Sequence, residues 1–137
     1  IDSHALVGAC AQIGAHVHLS AGVQIGDVIE PPGALPVIVE EGVFIGALSA
    51  VFGGMHLKRR AVLAAGVVLT DSTIIHDVVH GTSHQGLVPE GAVVVPGSRP
   101  AGGPYAEAKG LCVAAPLIVK YRDADTNATT ALQQALR

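Results

Sequence analysis

The sequence predicts an all-β fold: a parallel β-helix of hexapeptide repeats, with an external loop and a short C-terminal helix. Three observations predict it. From Val39 onward an aliphatic residue returns at every sixth position: Val39, Ile45, Val51, Leu57, Leu63, Leu69 and Ile75. A preceding run keeps the same beat at Ile1, Val7, Ile13, Leu19 and Ile25, and a strict six-residue period is the signature of a hexapeptide β-helix. Finally, half of the 137 residues are hydrophobic, yet only 3% are aromatic and Trp is absent. Such a core must be built from stacked rows of Val, Ile, Leu and Ala. The residue two before each beat is small or slender, Met55 excepted: Val37, Val43, Ser49, Ala61, Val67 and Thr73.

The first run reads as IDSHAL, VGACAQ, IGAHVH and LSAGVQ. Gly8, Gly14 and Gly26 follow their beats, where sharp turns are expected. Gly22, Gly42, Gly54 and Gly66 stand three after a beat and predict corners with positive φ. Between Ile25 and Val39 the rhythm breaks, and the prolines there predict an external loop over 27–36. The main run then continues to Ile75, with Lys58, Arg59 and Arg60 at solvated corners. Residues 76–86 predict a hairpin or excursion, after which LVPEGAVVVPG resumes an extended path to close a repeat domain over 1–98. In 99–137 the sequence predicts a Gly/Pro loop (Arg99 to Gly110), one strand (Leu111 to Val119), a polar turn and a short helix from Thr129. That helix is expected to cap the open end of the coil, together with residues preceding Ile1, which already stands on a beat.

A formal charge of −3 with eight Lys plus Arg argues against a nucleic-acid partner. No apolar run reaches membrane-spanning length and no signal peptide opens the chain, so no membrane partner is expected. Cys10 and Cys112 are too few for a disulfide framework, which makes a cytoplasmic setting the default. Cys10 itself reads as packing or turn filling.

Three segments carry a more specific signal. IDSHALVGACAQIGAHVHLSAGVQIG, EPPGALPVIVEEGVFIGA, and LVPEGAVVVPGS followed by VAAPLIVKYRDADT resemble tetrahydrodipicolinate N-succinyltransferase, a hexapeptide-repeat acyltransferase family, over nearly the whole chain and in the same order. The resemblance implies a left-handed β-helix, a helical domain ahead of it, and a homotrimer with active sites between subunits. It implies succinyl transfer from succinyl-CoA to the amino group of an amino dicarboxylate, in lysine and diaminopimelate biosynthesis, without a metal. Asp2 matches the Asp of the family's first motif, as catalytic and substrate-binding residue. His18 and Ser20 fall in its substrate-side phrase. Ser49, Ala64, Ala65, Gly66 and Lys120 match its CoA side, with the backbone amides of Ala64, Ala65 and Gly66 along the pantetheine arm and Lys120 towards phosphate. Glu30, in the loop before Pro31 and Pro32, is read either as a solvated loop carboxylate or as one reaching a neighbouring subunit.

One departure matters most. The family's G-A-R-S-E-V reads Gly46-Ala47-Leu48-Ser49-Ala50-Val51, so an Arg has become Leu48 and the proposed general base has become Ala50. Loss of a general base typically costs on the order of 10²–10⁴-fold in rate. Glu41 and His56 are the nearest alternatives in sequence. A second reading is therefore a catalytically impaired or non-enzymatic trimeric scaffold. A third is a zinc-dependent hydrase like the β-helical carbonic anhydrases, drawn from seven histidines, with His76, His80 and His84 spaced by fours and His16 beside His18. That site would need three converging imidazoles and an open position.

Overall fold

The computed structural model describes residues 1–28 and 33–137. Two-residue strands recur on the six-residue beat: β1 (Leu6–Val7), β2 (Gln12–Ile13), β3 (His18–Leu19), β4 (Gln24–Ile25), β5 (Ile38–Val39), β6 (Phe44–Ile45), β7 (Ala50–Val51), β8 (His56–Leu57), β9 (Val62–Leu63) and β10 (Val68–Leu69). β1 to β7 each pair in parallel with the strand three further on, so the chain coils around three faces. The first face is β1-β4-β7-β10 and the second begins β2-β5-β8. The third begins β3-β6-β9, and this architecture of three parallel sheets is that of a β-helix.

The core follows the beat. Leu19, Ile45 and Leu63, Ile25, Val51 and Leu69, and Val39 and Leu57 are all buried in rows. The slender positions two before the beat, Val23, Val37, Val43, Ser49, Ala61 and Val67, fill the space between them, and Met55 fits there as well. Asp27, Val28 and 33–36 belong to the excursion after β4. Glu30 and its prolines lie outside the described residues.

Corners three after the beat are left-handed, as expected for Gly22, Gly42, Gly54 and Gly66, and His4, Cys10, His16, Leu48 and Arg60 adopt the same conformation with φ of 57–66°. Cys10 is thus an exposed corner residue, not a packed one. The glycines directly after the beat have a different cause from the one expected. Gly8, Gly14 and Gly46 are not in the positive-φ region; the adjoining coil's backbone passes so close that a Cβ at Gly46 would lie 2.5 Å from Ala65 N.

The coil ends differently from the beat's forecast. Ile75 is buried on schedule, but its strand, β11 (Ile74–Asp77), leaves the coil and turns back antiparallel as β12 (Thr82–Gln85). The vacated rung beneath β8 is filled by β13 (Leu87–Val88). β14 (Ala92–Val95) then continues the third sheet next to β9. The expected loop after Ser98 holds β15 (Ser98–Pro100) and α1 (Pro104–Lys109). The single expected strand is two, β16 (Cys112–Ala114), paired with β15, and β17 (Leu117–Tyr121), inserted between β14 and β11. The terminal helix is α2 (Ala128–Ala135), and its Leu132 and Ala135 pack against the core. Its Ala131 and Leu132 cover Val62, Val93 and Phe44 on the outside of the third sheet. Asn127 caps it by accepting a hydrogen bond from the Thr130 N–H.

Gly46→Ala should lower unfolding free energy by about 1–3 kcal/mol, because neither coil backbone can move aside. Gly102→Ala, with nothing within 4 Å of the added carbon, should stay within about 0.5 kcal/mol of the parent. Urea titration of both variants checks this, and equal midpoints would contradict it.

Candidate active site

Of the residues that the motifs single out, Asp2, Ser20, Ala64, Ala65 and Gly66 share one edge of the coil, where the third face turns into the first. Backbone ladders stack them. Asp2 N–H donates to Leu19 C=O, Ser20 N–H to Ile45, Gly46 N–H to Leu63 and Ala64 N–H to Val94, at 2.8–3.0 Å. One step around the corner, Gly22 N–H donates to Ser3 C=O, Leu48 N–H to Ala21 and Gly66 N–H to Ala47. Asp2 and Ser20 thus occupy successive coils of the edge on which Ala64, Ala65 and Gly66 stand further along.

Just past this edge, the first face presents an outward row of Leu6, Gln24, Ala50 and Val68. Val68 lines a cleft of about 120 Å³ with Gly66, Val67, Pro96, Gly97, Ala114, Ala115 and Pro116. The walls are small residues and prolines. Gly97 can only be glycine, since a Cβ would lie 2.7 Å from Ala115 O. Ala50 sits one rung, roughly 4.8 Å, from Val68 in the same row. Leu48 at the adjoining corner is 74% exposed. No member of this row carries a carboxylate.

Among the expected CoA-side amides, those of Ala64 and Gly66 are already bonded between coils, whereas the N–H of the exposed Ala65 has no hydrogen-bond partner among the described residues. Ser49 is a correction. It is fully buried inside the coil, with its hydroxyl donating to Ala64 C=O (2.9 Å) and accepting from Val67 N–H (3.3 Å). At the corners Ser20–Val23 and Gly46–Ser49 the fourth N–H returns directly to the first C=O. At Ala64–Val67 the Ser49 hydroxyl stands between the two, so it shapes the corner carrying Ala65 N–H and touches no cavity.

Lys120 is the other residue set apart. It pairs with Val93 in the third sheet and lines neither the cleft nor the groove beside it. His18 lies on the third face, its ring stacked 4.7 Å from that of Phe44. Asp2 is exposed, and its Oδ1 accepts from Ser3 N–H. His56 points outward from the second face and is held 2.6 Å from Glu40, and Glu41 pairs with Arg59, so neither reaches the cleft.

Histidines of the hairpin do not converge as three. His80 and His84 approach Asp77, while His76 faces the opposite side of β11, and among the described residues no three potential ligands group around a metal position. Asp77 is the polar centre that the sequence reading passed over. It is buried and accepts from Tyr121 O–H (2.6 Å), His80 Nδ1 (2.9 Å) and the N–H groups of Val79 and His80. Burial alone would raise its pKa, but the hydrogen bonds from Tyr121 and His80 outweigh that and hold it well below the usual carboxylate range. Burial and the adjacent carboxylate push Tyr121 up to about 12. The available sequence signal was alternation: Asp77 is two residues from the core residue Ile75, on the same inward face.

The Asp77 contribution is fully present above the unfolded carboxylate pKa of about 3.9 and fades as pH falls towards its depressed folded value. Tyr121→Phe should therefore destabilise by about 1–3 kcal/mol at neutral pH, with a smaller gap from the parent below about pH 3. Urea unfolding at the two pH values measures this, and a gap independent of pH would rule out the coupling. Ser49→Ala, which removes the bridge inside the corner, should cost about 1–2 kcal/mol in the same assay.

Residues 36–71 match the family model described as the hexapeptide repeat of succinyl-transferase. The whole chain is 49% identical to the 2,3,4,5-tetrahydropyridine-2,6-dicarboxylate N-succinyltransferase of Polynucleobacter asymbioticus and 47% identical to that of Acinetobacter baylyi, in each case over 48% of the relative's length. It is 47% identical to the Rhodopseudomonas palustris protein of the same name, over 49% of its length. The chain spans about half the length of these curated relatives. Along all of its own length, the chain is similar to tetrahydrodipicolinate N-succinyltransferases, and its central run carries the hexapeptide repeat of succinyl-transferases.

Proposed function

We propose that this chain provides the β-helix of a CoA-dependent N-acyltransferase, moving succinyl from succinyl-CoA to the amino group of tetrahydrodipicolinate or its opened form, 2-amino-6-oxopimelate. The observation that carries this reading is the single edge that gathers Asp2, Ser20 and Ala65 and runs into the small-walled cleft at Gly66 and Gly97. A pantetheine arm is slender and carries amides. A cleft walled by glycine, alanine and proline beside the N–H of the exposed Ala65 suits its shape and its hydrogen bonding. The thioester carbonyl would then lie near the Ala50 rung, and Asp2 stands two rungs further, roughly 10 Å away.

Transfer requires a neutral amine. Its nitrogen attacks the thioester carbonyl, the amide forms as CoA leaves as the thiol, and the amine proton passes to a base. A backbone N–H near the carbonyl favours the tetrahedral oxyanion. Asp2 is the carboxylate proposed to hold or deprotonate the amine. The exposed apolar side chains bordering the edge, Leu48 and Val68 (56% exposed), support a further subunit packing there, and with it a homotrimer of left-handed coils. A role in lysine and diaminopimelate biosynthesis, in the cytoplasm, follows from the same reading.

A second reading is favoured by a specific observation: the outward row at Ala50 offers no group able to take a proton. In that case the scaffold binds CoA but transfers succinyl poorly. A thiol-release assay with succinyl-CoA and 2-aminopimelate, alongside calorimetric titration of CoA, separates the two. Turnover with binding supports the first, and a rate raised about 10²-fold or more by Ala50→Glu identifies the missing base. Absence of any CoA binding would sink both.

A further inference from the structure

We infer that the groove between β11 and the β15–β16 ribbon is an anion subsite for phosphate esters, with Arg99 and His76 as its donors. The groove encloses about 590 Å³ and is lined by Ser72, Thr73, Ile74, His76 and Arg99, with Ala114, Ala115 and Pro116 forming a wall shared with the small-walled cleft. The two cavities therefore adjoin. Alternation along β11 turns Ile75 and Asp77 inward and leaves Ile74 and His76 on the groove side. Arg99 comes from the opposite wall, on the ribbon.

Among the described residues, Arg99 is the one Lys or Arg that lines the groove. Arg59 and Lys58 lie beside Glu41 and Glu40, and Arg60 and Arg122 grip carbonyls of the 123–126 turn. Arg99 has no carboxylate partner among the described residues, and its one hydrogen bond is a 3.3 Å contact to the adjacent Pro100 C=O. Among the described residues, no acidic one lines the groove. A planar guanidinium with free N–H groups in a concave, acid-free site suits phosphate oxygens, and an imidazole N–H opposite it adds a second donor. Hydroxyls of Ser72 and Thr73 complete a polar rim.

This deepens the acyl-CoA reading and rests on it for the identity of the ligand. The diphosphate and 3′-phosphate of CoA would extend into the groove while the pantetheine arm occupies the cleft, a role that Lys120, bordering neither cavity, does not fill.

Calorimetric titration of the intact protein with CoA, pantetheine and inorganic pyrophosphate tests it. Arg99→Gln and His76→Asn should each weaken CoA binding roughly tenfold while leaving pantetheine binding unchanged, and Arg99→Gln should abolish the pyrophosphate signal. Arg99 is exposed, and thermal melts matching the parent would show that the fold is kept. CoA and pyrophosphate titrating alike in parent and Arg99→Gln would overturn the subsite, as would a parent that binds pantetheine as tightly as CoA. Pyrophosphate bound through Arg99 without CoA or pantetheine binding would keep the subsite and overturn the acyl-CoA reading. A parent that takes none of the three overturns both.

Discussion

Each coil of this protein is bonded mainly to the coils before and after it. A residue's N–H reaches a carbonyl of the adjoining coil, as in Ser20 to Ile45 and Gly46 to Leu63, and this ladder closes only if every coil has the same perimeter. Three short strands with three tight corners meet that condition, and a corner this tight needs a left-handed residue. Where glycine is present the conformation is free of penalty. At His4, Cys10, His16, Leu48 and Arg60 it costs on the order of 1 kcal/mol each, and the ladder on both sides holds the residue there. The ladder is therefore what the core rows, the corner strain and the stacked edge all depend on.

The same constraint explains which features could be read from residues alone. A six-residue period is local and repeated, so the coil, its aliphatic rows and the left-handed glycines were visible in sequence. Successive coils also place residues 18 apart on one edge, which makes the pairing of Asp2 with Ser20 a matter of arithmetic. The departure at Ile75 was not visible. It keeps the beat and the burial of a coil residue, but its strand pairs with Thr82–Gln85 and with Leu117–Tyr121, and an antiparallel insertion from a distant segment leaves no periodic trace. Ser49 was misplaced for a related reason. Its motif position says where it lies along the chain, whereas an interior row two before the beat says which way it points.

The Asp77 centre shows what replaces the ladder once the coil stops. β11, β12 and β17 meet there without a six-residue repeat to align them. A buried carboxylate accepting from Tyr121, His80 and two backbone N–H groups joins hairpin to inserted strand in one arrangement. An unpaired charge at that depth would be costly, so the cluster also selects against other registers. It stabilises the hairpin whose other face lines the groove at His76. A buried polar centre on one side of β11 thus positions His76 on the other.

The division between inward and outward rows finally bears on Leu48 and Ala50. Both stand outside the core, one at an exposed corner and one in an outward row, so neither substitution removes a buried contact or a ladder hydrogen bond. Ser49, between them, faces inward and still bridges the Ala64–Val67 corner. Three adjacent residues therefore answer to different constraints. The fold holds the middle one in place through buried hydrogen bonds, whereas the flanking two carry no buried side-chain bond, and at Leu48 only the corner's left-handed backbone is restrictive. A solenoid whose stability resides in its interior rows can lose or exchange outward catalytic groups without unfolding. The small-walled cleft beside the altered Leu48–Ala50 segment is what that separation allows, since the first is built from backbone and small residues while the second differs only in individual side chains.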